Sequence, residues 1–261
     1  MLSATVHRWA AWAPRCTTPE AWRDWHDAPG PVGVDGHPDA SFLPAMLRRR
    51  CTRLTRIMLA AAFACCDEPA RTEARSVFAS RHGSINESLG MLEALGRGER
   101  ISPAKFSHTV HNAQAGLFSI AAGNRQASSS LSAGSDTFGC AYLEALTHLE
   151  REPDRPVLLV VGDVPLAPTF APLVVEPAAA YSMALLLAPA GTGPRLAFAV
   201  GEGDAAPAAA RPWPDALEFL RWLLGAEPAL ELRGAHCTWR WTRTDPPTSV
   251  SPAAGAPHGS A

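Results

Sequence analysis

Among the 23 basic residues of this 261-residue chain, lysine occurs once, as Lys105, and the whole sequence holds only two tyrosines, Tyr142 and Tyr181. The other basic residues are arginines, a bias that a GC-rich genome produces without reference to function. Neither sign of charge dominates. A formal net charge of −2 with 18% charged residues leaves no overall electrostatic footprint for a nucleic acid. No apolar run reaches the roughly 18 residues that a membrane-spanning helix needs. Met46–Cys66 is interrupted by Arg48, Arg49, Arg50, Arg53 and Arg56, so it reads as an amphipathic helix rather than a span. The N-terminus, MLSATVHRWAAWAPRC, lacks the continuous apolar core and small-residue cleavage site of a secretory signal, and the cytoplasm is the expected location.

Cysteine chemistry is equally sparse. Cys16, Cys51, Cys65, Cys66, Cys140 and Cys237 form no CxxC pair and have no histidines at zinc spacing, so free thiols in a reducing compartment and no metal are expected. The Gly-x-Gly pairs at Gly191–Gly193 and Gly201–Gly203 lack the rest of a dinucleotide fingerprint and read as loop turns, so no cofactor is expected. Ser128, Ser129 and Ser130 form no G-x-S-x-G elbow.

What is present is an alternation of helical and strand patterns in a chain 47% hydrophobic, enough to bury a substantial core. Residues 1–43, rich in Trp, Pro and Gly, read as a short strand and loops packing on the body. Residues 44–203 form the main unit. Residues 204–245 hold an Ala/Pro linker, a helix over Trp213–Gly225 and a final strand over Cys237–Thr242, and the Pro/Ser-rich tail 246–261 has the composition of a disordered segment. Within the main unit, helices are expected over Pro44–Cys66, over Asn86–Leu95 with Gly96 as its left-handed stop, from Pro103 through His108–Asn112, and over Gly139–Glu150. Strands are expected at Ser76–Ser80, at Ser129–Ala133 as a buried strand, at Tyr181–Ala188, at Leu196–Val200, and at Val157–Val161 as a central strand covered on both faces. Strands separated by helices argue for an α/β layered domain. Asp163 follows the Val157–Val161 run at the position where such sheets place functional groups, or else it caps a turn before Pro165. His108 and His111, three apart with Asn112 beside them, suggest a metal pair or, more plainly, loop-bonding or interface residues.

The stretches MLRRRCTRLTRIMLAAA, SVFASRHGSINESLGMLEAL, ISPAKFSHTVHNAQAGLFSIAAGN, VLLVVGDVP and AAAYSMALLLA follow one another from about Leu47 to Val200. In this order they resemble the N-terminal half of β-ketoacyl synthases of the thiolase superfamily, particularly a short subgroup from aryl polyene pigment clusters. The segment SLSAGSDTFGC is similar to the family's S-L-x-V-D-T-A-C-S elbow, whose Cys is the nucleophile. Gapless counting puts Thr137 at that Cys, matching Asp136-Thr137 to the family's D-T puts Gly139 there, and a one-residue insertion puts Cys140 there. The resemblance implies an α/β, thiolase-like fold: the N-terminal half of a five-layer condensing enzyme, a mixed sheet layered with helices.

Enzymes of that family also use two histidines from a second half. Here His236 and His258 are the only histidines after His148, and neither stands in the family's contexts. The resemblance therefore implies a non-catalytic, chain-length-factor-like subunit that pairs with a full-length β-ketoacyl synthase as a heterodimer and works on acyl chains carried by acyl carrier protein. Its implied wall or interface residues are Phe106, His108, His111, Asn112, Phe118 and Phe138, with Ser135, Asp136 and Thr137 as the remnant elbow. Two other readings stay open: an acyltransferase-type enzyme using Cys140 as acyl acceptor, and a homodimeric module that binds an acyl ligand or acyl carrier protein.

Overall fold

A computed structural model describes residues 2–174, 177–203 and 211–244. Most of the expected linker and the whole expected tail, 246–261, lie outside the described residues. The first half of the chain forms β1 (Leu2–Trp12), α1 (Pro19–Asp27), α2 (Ala45–Arg48), α3 (Arg53–Cys65), α4 (Glu68–Glu73), β2 (Arg75–Ala79), α5 (Ile85–Gly96), α6 (Pro103–Phe106) and α7 (Ala113–Ala122). The second half forms β3 (Ser128–Leu131), α8 (Thr137–Arg151), β4 (Val157–Asp163), β5 (Tyr181–Ala188), β6 (Arg195–Glu202), α9 (Asp215–Leu224), β7 (Ala229–Arg233) and β8 (Cys237–Arg243).

Among the described residues eight strands join one mixed sheet in the order β3-β2-β4-β5-β1-β6-β8-β7. β2 pairs in parallel with β3 and β4, and every other pairing is antiparallel. β4 is buried along its whole length because helices cover both faces, which is what its unbroken Val/Leu run predicts. On one face α3 and α7 pack over β4, β5 and β2 with a core of Leu54, Ile57, Met58, Phe78 and Phe118. On the other, α8, α1 and α9 enclose a second core dominated by Trp9, Trp22, Tyr142, Phe219 and Trp241. The N-terminal segment supplies more than a short strand at the margin: the 11-residue β1 lies inside the sheet, between β5 and β6.

Several local expectations are revised. The helix expected over Pro44–Cys66 breaks after Arg48, because Thr52 turns to extended backbone and its hydroxyl accepts the Thr55 N–H at 3.2 Å, starting α3 anew. Helix α5 continues through Gly96, and the left-handed residue is Gly98 (φ +73°). His108–Asn112 form turns between α6 and α7 instead of a helix face. β3 is only partly buried, since as an edge strand it has β2 as its one neighbour. β7 is a strand not expected above, although Leu230-Glu231-Leu232-Arg233 alternates apolar and charged residues; it is five residues long and of its side chains only Leu232 is buried.

The far end of the sheet curls back. Trp239 and Trp241 on β8 reach the first turns of α8, although five strands separate β8 from β3. The strongly twisted sheet thus coils around α8, and α9 lies beside it, with Phe219 5.1 Å from Phe138 between ring centroids. Arg243 fixes the end of α9 by donating to the carbonyls of Trp222, Leu223 and Gly225 while its guanidinium sits 4.7 Å over the Trp222 ring.

Candidate functional site

The parallel strands β3, β2 and β4 end side by side, and α/β sheets bind ligands outside such carboxyl ends. After β3 the chain makes a sharp elbow into α8. Gly134 supplies its left-handed residue (φ +58°), and Ser132 Oγ ties it to the loop after β2 by donating to the Arg81 carbonyl at 2.9 Å. The Thr137 hydroxyl, the gapless nucleophile candidate, is spent inside the turn. It donates to the Gly134 carbonyl (2.7 Å) and accepts from the Ala133 N–H (2.9 Å), with no base on it. Thr137 braces the elbow.

Asp136 is 3% exposed. One carboxylate oxygen accepts the Trp239 indole N–H at 2.8 Å, and the other accepts the backbone N–H groups of Ala235 and His236, each at 3.1 Å. Ser135 Oγ accepts from the same Ala235 N–H at 3.1 Å. The loop joining β7 to β8 is thereby bound to the elbow by groups 99 to 103 residues away in sequence. Gly139, the position reached by matching Asp136-Thr137, has no room for a side chain, since a Cβ there falls inside the Trp239 indole. Cys140 is half-buried at the start of α8, and burial pushes its thiol above the ordinary value, with the Asp136 carboxylate and Cys237 adding to the rise. A raised thiol is the opposite of an activated one.

The expected wall and interface residues separate into two groups. Phe118 and Phe138 are core residues: Phe118 packs against Phe63 and Phe78 beneath α3, and Phe138 stacks on Trp241 at 5.4 Å. Their rings point inward because the apolar sides of α7 and α8 face the sheet, so neither reaches an outer surface. Phe106, at 59% exposure, together with His111 and Asn112, lies on the surface beside exposed Val110. The His111 ring rests against Gly83 after β2, and His108 is half-buried in the same turns. Among the described residues, no three His, Cys, Asp or Glu side chains gather as a metal site.

Two further polar clusters lie near the elbow. Asp163 accepts from Ser80 Oγ (2.6 Å), the N–H groups of His82 (3.0 Å) and Arg81 (3.1 Å), and the Tyr181 hydroxyl (3.4 Å). Burial raises its carboxyl above the usual range against the pull of these donors. It pins the loop after β2 to β4 and β5, and so caps that loop rather than the turn before Pro165. Ser129 Oγ stands 3.1 Å from His148 Nε2 and 2.7 Å from Glu144, which suggests a hydrolytic set. A triad needs its carboxylate on the ring nitrogen remote from the serine. Here Glu144 shares Nε2 with Ser129, and Nδ1 faces the Arg75 guanidinium at 3.5 Å, so the ring cannot serve as a supported base. Further along the same sheet edge, at the end of β1, a groove of about 700 Å³ is lined by Pro14, Arg15, Val32, Asp35, Pro177 and Trp213. No elbow residue lines it.

The residues that sequence reasoning missed are Trp239 and Gly234, which complete the closure over the elbow. Their one local signal is the alternation in CTWRWTR, which puts Trp239 and Trp241 on one buried face of a strand.

The fold has known relatives. A chain of the ketosynthase ApeO in complex with its chain length factor ApeC, from Xenorhabdus doucetiae, superimposes with a TM-score of 0.79 at 29% identity, over 93% of this chain and 100% of that one. The ishigamide ketosynthase/chain length factor matches at TM-score 0.58 and 15% identity, over 77% of this chain and 68% of that one. A chain of AntDE:AntF, a type II polyketide acyl-carrier protein in complex with its ketosynthase, matches at 0.70 and 11%, over 92% and 99%. At such identities the last two speak to the fold alone. No curated protein sequence matches the chain. The model of the β-ketoacyl synthase N-terminal domain covers residues 22–242, and the chain, with its thiolase-like mixed sheet and its elbow between β3 and α8, belongs to that family.

Proposed function

We propose that this chain is a non-catalytic, chain-length-factor-like subunit that pairs in the cytoplasm with a full-length β-ketoacyl synthase and helps it elongate acyl chains carried on acyl carrier protein, for an aryl polyene or related polyketide. The observation that carries the reading is the state of the elbow. Thr137 is locked in the turn, the side-chain space at Gly139 is occupied, and the Cys140 thiol is raised rather than activated. Condensation needs a nucleophile plus groups that stabilise the carbanion and oxyanion. The described residues bring no such set to the elbow. The likeness to a chain of a ketosynthase and chain length factor complex points the same way.

A surface suited to the partner borders the elbow. The free edge of β3 adjoins α7, whose Ile120 is 70% exposed, while α5 has no buried residue and presents Leu92 and Leu95 beside Phe106 of α6. An unpaired strand edge flanked by exposed apolar side chains is what an obligate subunit leaves for its partner.

The test is co-expression with the full-length ketosynthase encoded nearest to this chain, purification through one tag, and stoichiometry by mass. A 1:1 complex that extends an acyl thioester, where neither chain alone does, is the expected result. A stable self-dimer or monomer that ignores the synthase would overturn the pairing and favour the homodimeric binding module. Thioester formation at Cys140 would favour the acyltransferase.

A further inference from the structure

The contact between the elbow and the loop joining β7 to β8 has the form of a two-way lock. Gly139 at the start of α8 leaves the space that the Trp239 indole fills, and Gly234 in the loop leaves the space that the Asp136 carboxylate fills. A Cβ at either glycine overlaps the side chain opposite. Asp136 then joins the two halves through the Trp239 indole N–H and the backbone N–H groups of Ala235 and His236. Trp239 is 2% exposed and stacks against Phe198 of β6, so it is held from behind as well. Each partner needs the other.

We infer that the β7–β8 hairpin is a built-in plug of the elbow: Trp239 occupies the space of a nucleophile's side chain at Gly139, and Asp136 latches it there. The inference rests on the non-catalytic reading and adds how the silence is maintained. Loss of a thiol alone leaves an open hollow at the elbow, where water or a thioester can enter. Here the chain fills that hollow with its own indole. The hairpin therefore does two jobs: it covers α8, and it closes the mouth of the elbow. The latch is specific for a carboxylate, because all three groups facing Asp136 are N–H donors and an amide would turn its own donor toward one of them.

The test uses the isolated full chain, so it can fail while pairing with the synthase succeeds, and the reverse. Trp239→Ala empties an indole-sized space, and millimolar indole should raise the melting temperature of this variant by several degrees while leaving that of the wild type unchanged. In a Cys140→Ser background, Gly139→Cys combined with Trp239→Ala should give a thiol at position 139 that iodoacetamide alkylates. There the sulfur–carbon bond forms, iodide leaves, and the thiol proton passes to buffer. The rate should be at least tenfold above that of Cys140 in the wild-type chain, and a rate no faster than that overturns the plug. No indole response in folded Trp239→Ala, or an equal response in the wild type, overturns the plug. Should Trp239→Ala not fold, hydrogen exchange of the wild type decides. Protected amides at Ala235 and His236 that lose protection in Asp136→Asn support the latch, and amides that exchange at the rate of an open loop refute it.

Discussion

At the β8 end of the sheet, Phe138, Tyr142, Phe198, Phe219, Trp239 and Trp241 are at most 3% exposed, whereas at the β3 end Leu92, Leu95, Phe106 and Ile120 are 53% to 70% exposed. The two outermost strands differ as well. The free edge at β7 carries Glu231 and Arg233, with Glu231 paired to Arg240 on β8, the kind of charge that blocks strand addition. β3 reads Ser128-Ser129-Ser130-Leu131 and has no charge and no proline. One chain has thus sealed one end of its sheet and left the other able to accept a strand. The sealed end also supplies the β7–β8 hairpin that closes over the elbow after β3. On the non-catalytic reading proposed above, the elbow needs no substrate access, and strands β7 and β8 are free to serve its closure.

The sharpest way to break this comparison is to damage the sealed end. Trp241→Ala removes a fully buried ring that meets Phe138 at 5.4 Å, Tyr142 at 5.5 Å and Phe198 at 5.2 Å. Large-to-small changes of this type cost about 3–5 kcal/mol. Urea unfolding of the isolated chain should show a loss of that size, and a loss below about 1 kcal/mol would mean that the hairpin is not part of the core.

How much of this was legible in the sequence follows from how far apart the interacting residues lie. β4, β5 and α8 were readable because a continuous β-branched run or a 3.6-residue period is a local signal, written within the element itself. The elbow was readable too, since Ser135, Asp136 and Thr137 sit next to the strand and helix that make it. What covers the elbow was not. Asp136 meets Trp239 at a separation of 103 residues, and nothing near Asp136 announces the indole. The histidines misled for a related reason: His108 and His111 have helical spacing, but α6 stops at Phe106 and the chain runs through turns to α7. Phe118 and Phe138 were named as wall or interface residues on the resemblance, and the structure places both rings in the core, Phe118 under α3 and Phe138 between α8 and β8.

The open end is tested by charge. Phe106→Glu combined with Ile120→Glu places two carboxylates on side chains already in water, so the isolated chain should unfold at the wild-type urea midpoint. Pairing with the synthase should weaken at least tenfold, equivalent to about 1.4 kcal/mol, when measured by titration calorimetry at fixed salt. Unchanged affinity would move the partner away from α6 and α7 and leave the two ends of the sheet functionally alike.

The smallest effect is expected at Cys140, and its smallness is informative. The thiol is raised chiefly by burial and then by Asp136 and Cys237, so little thiolate exists near neutrality. Only the thiolate attacks an electrophile. Alkylation of Cys140 by iodoacetamide should therefore run slower than that of free cysteine at pH 7.5 and rise about tenfold per pH unit, without levelling off where an ordinary thiol does. The sign for stability follows from the same shift. A thiol whose folded value lies above its unfolded one binds its proton more tightly when folded, so its contribution is complete at neutral pH and fades only as the pH climbs through the unfolded value toward the folded one. Cys140→Ser should leave acyl-chain elongation by the paired complex unchanged in rate and product length. If elongation falls with this substitution while pairing holds, the elbow is chemically alive, and the contrast between a closed end and an open end gives way to two working ends.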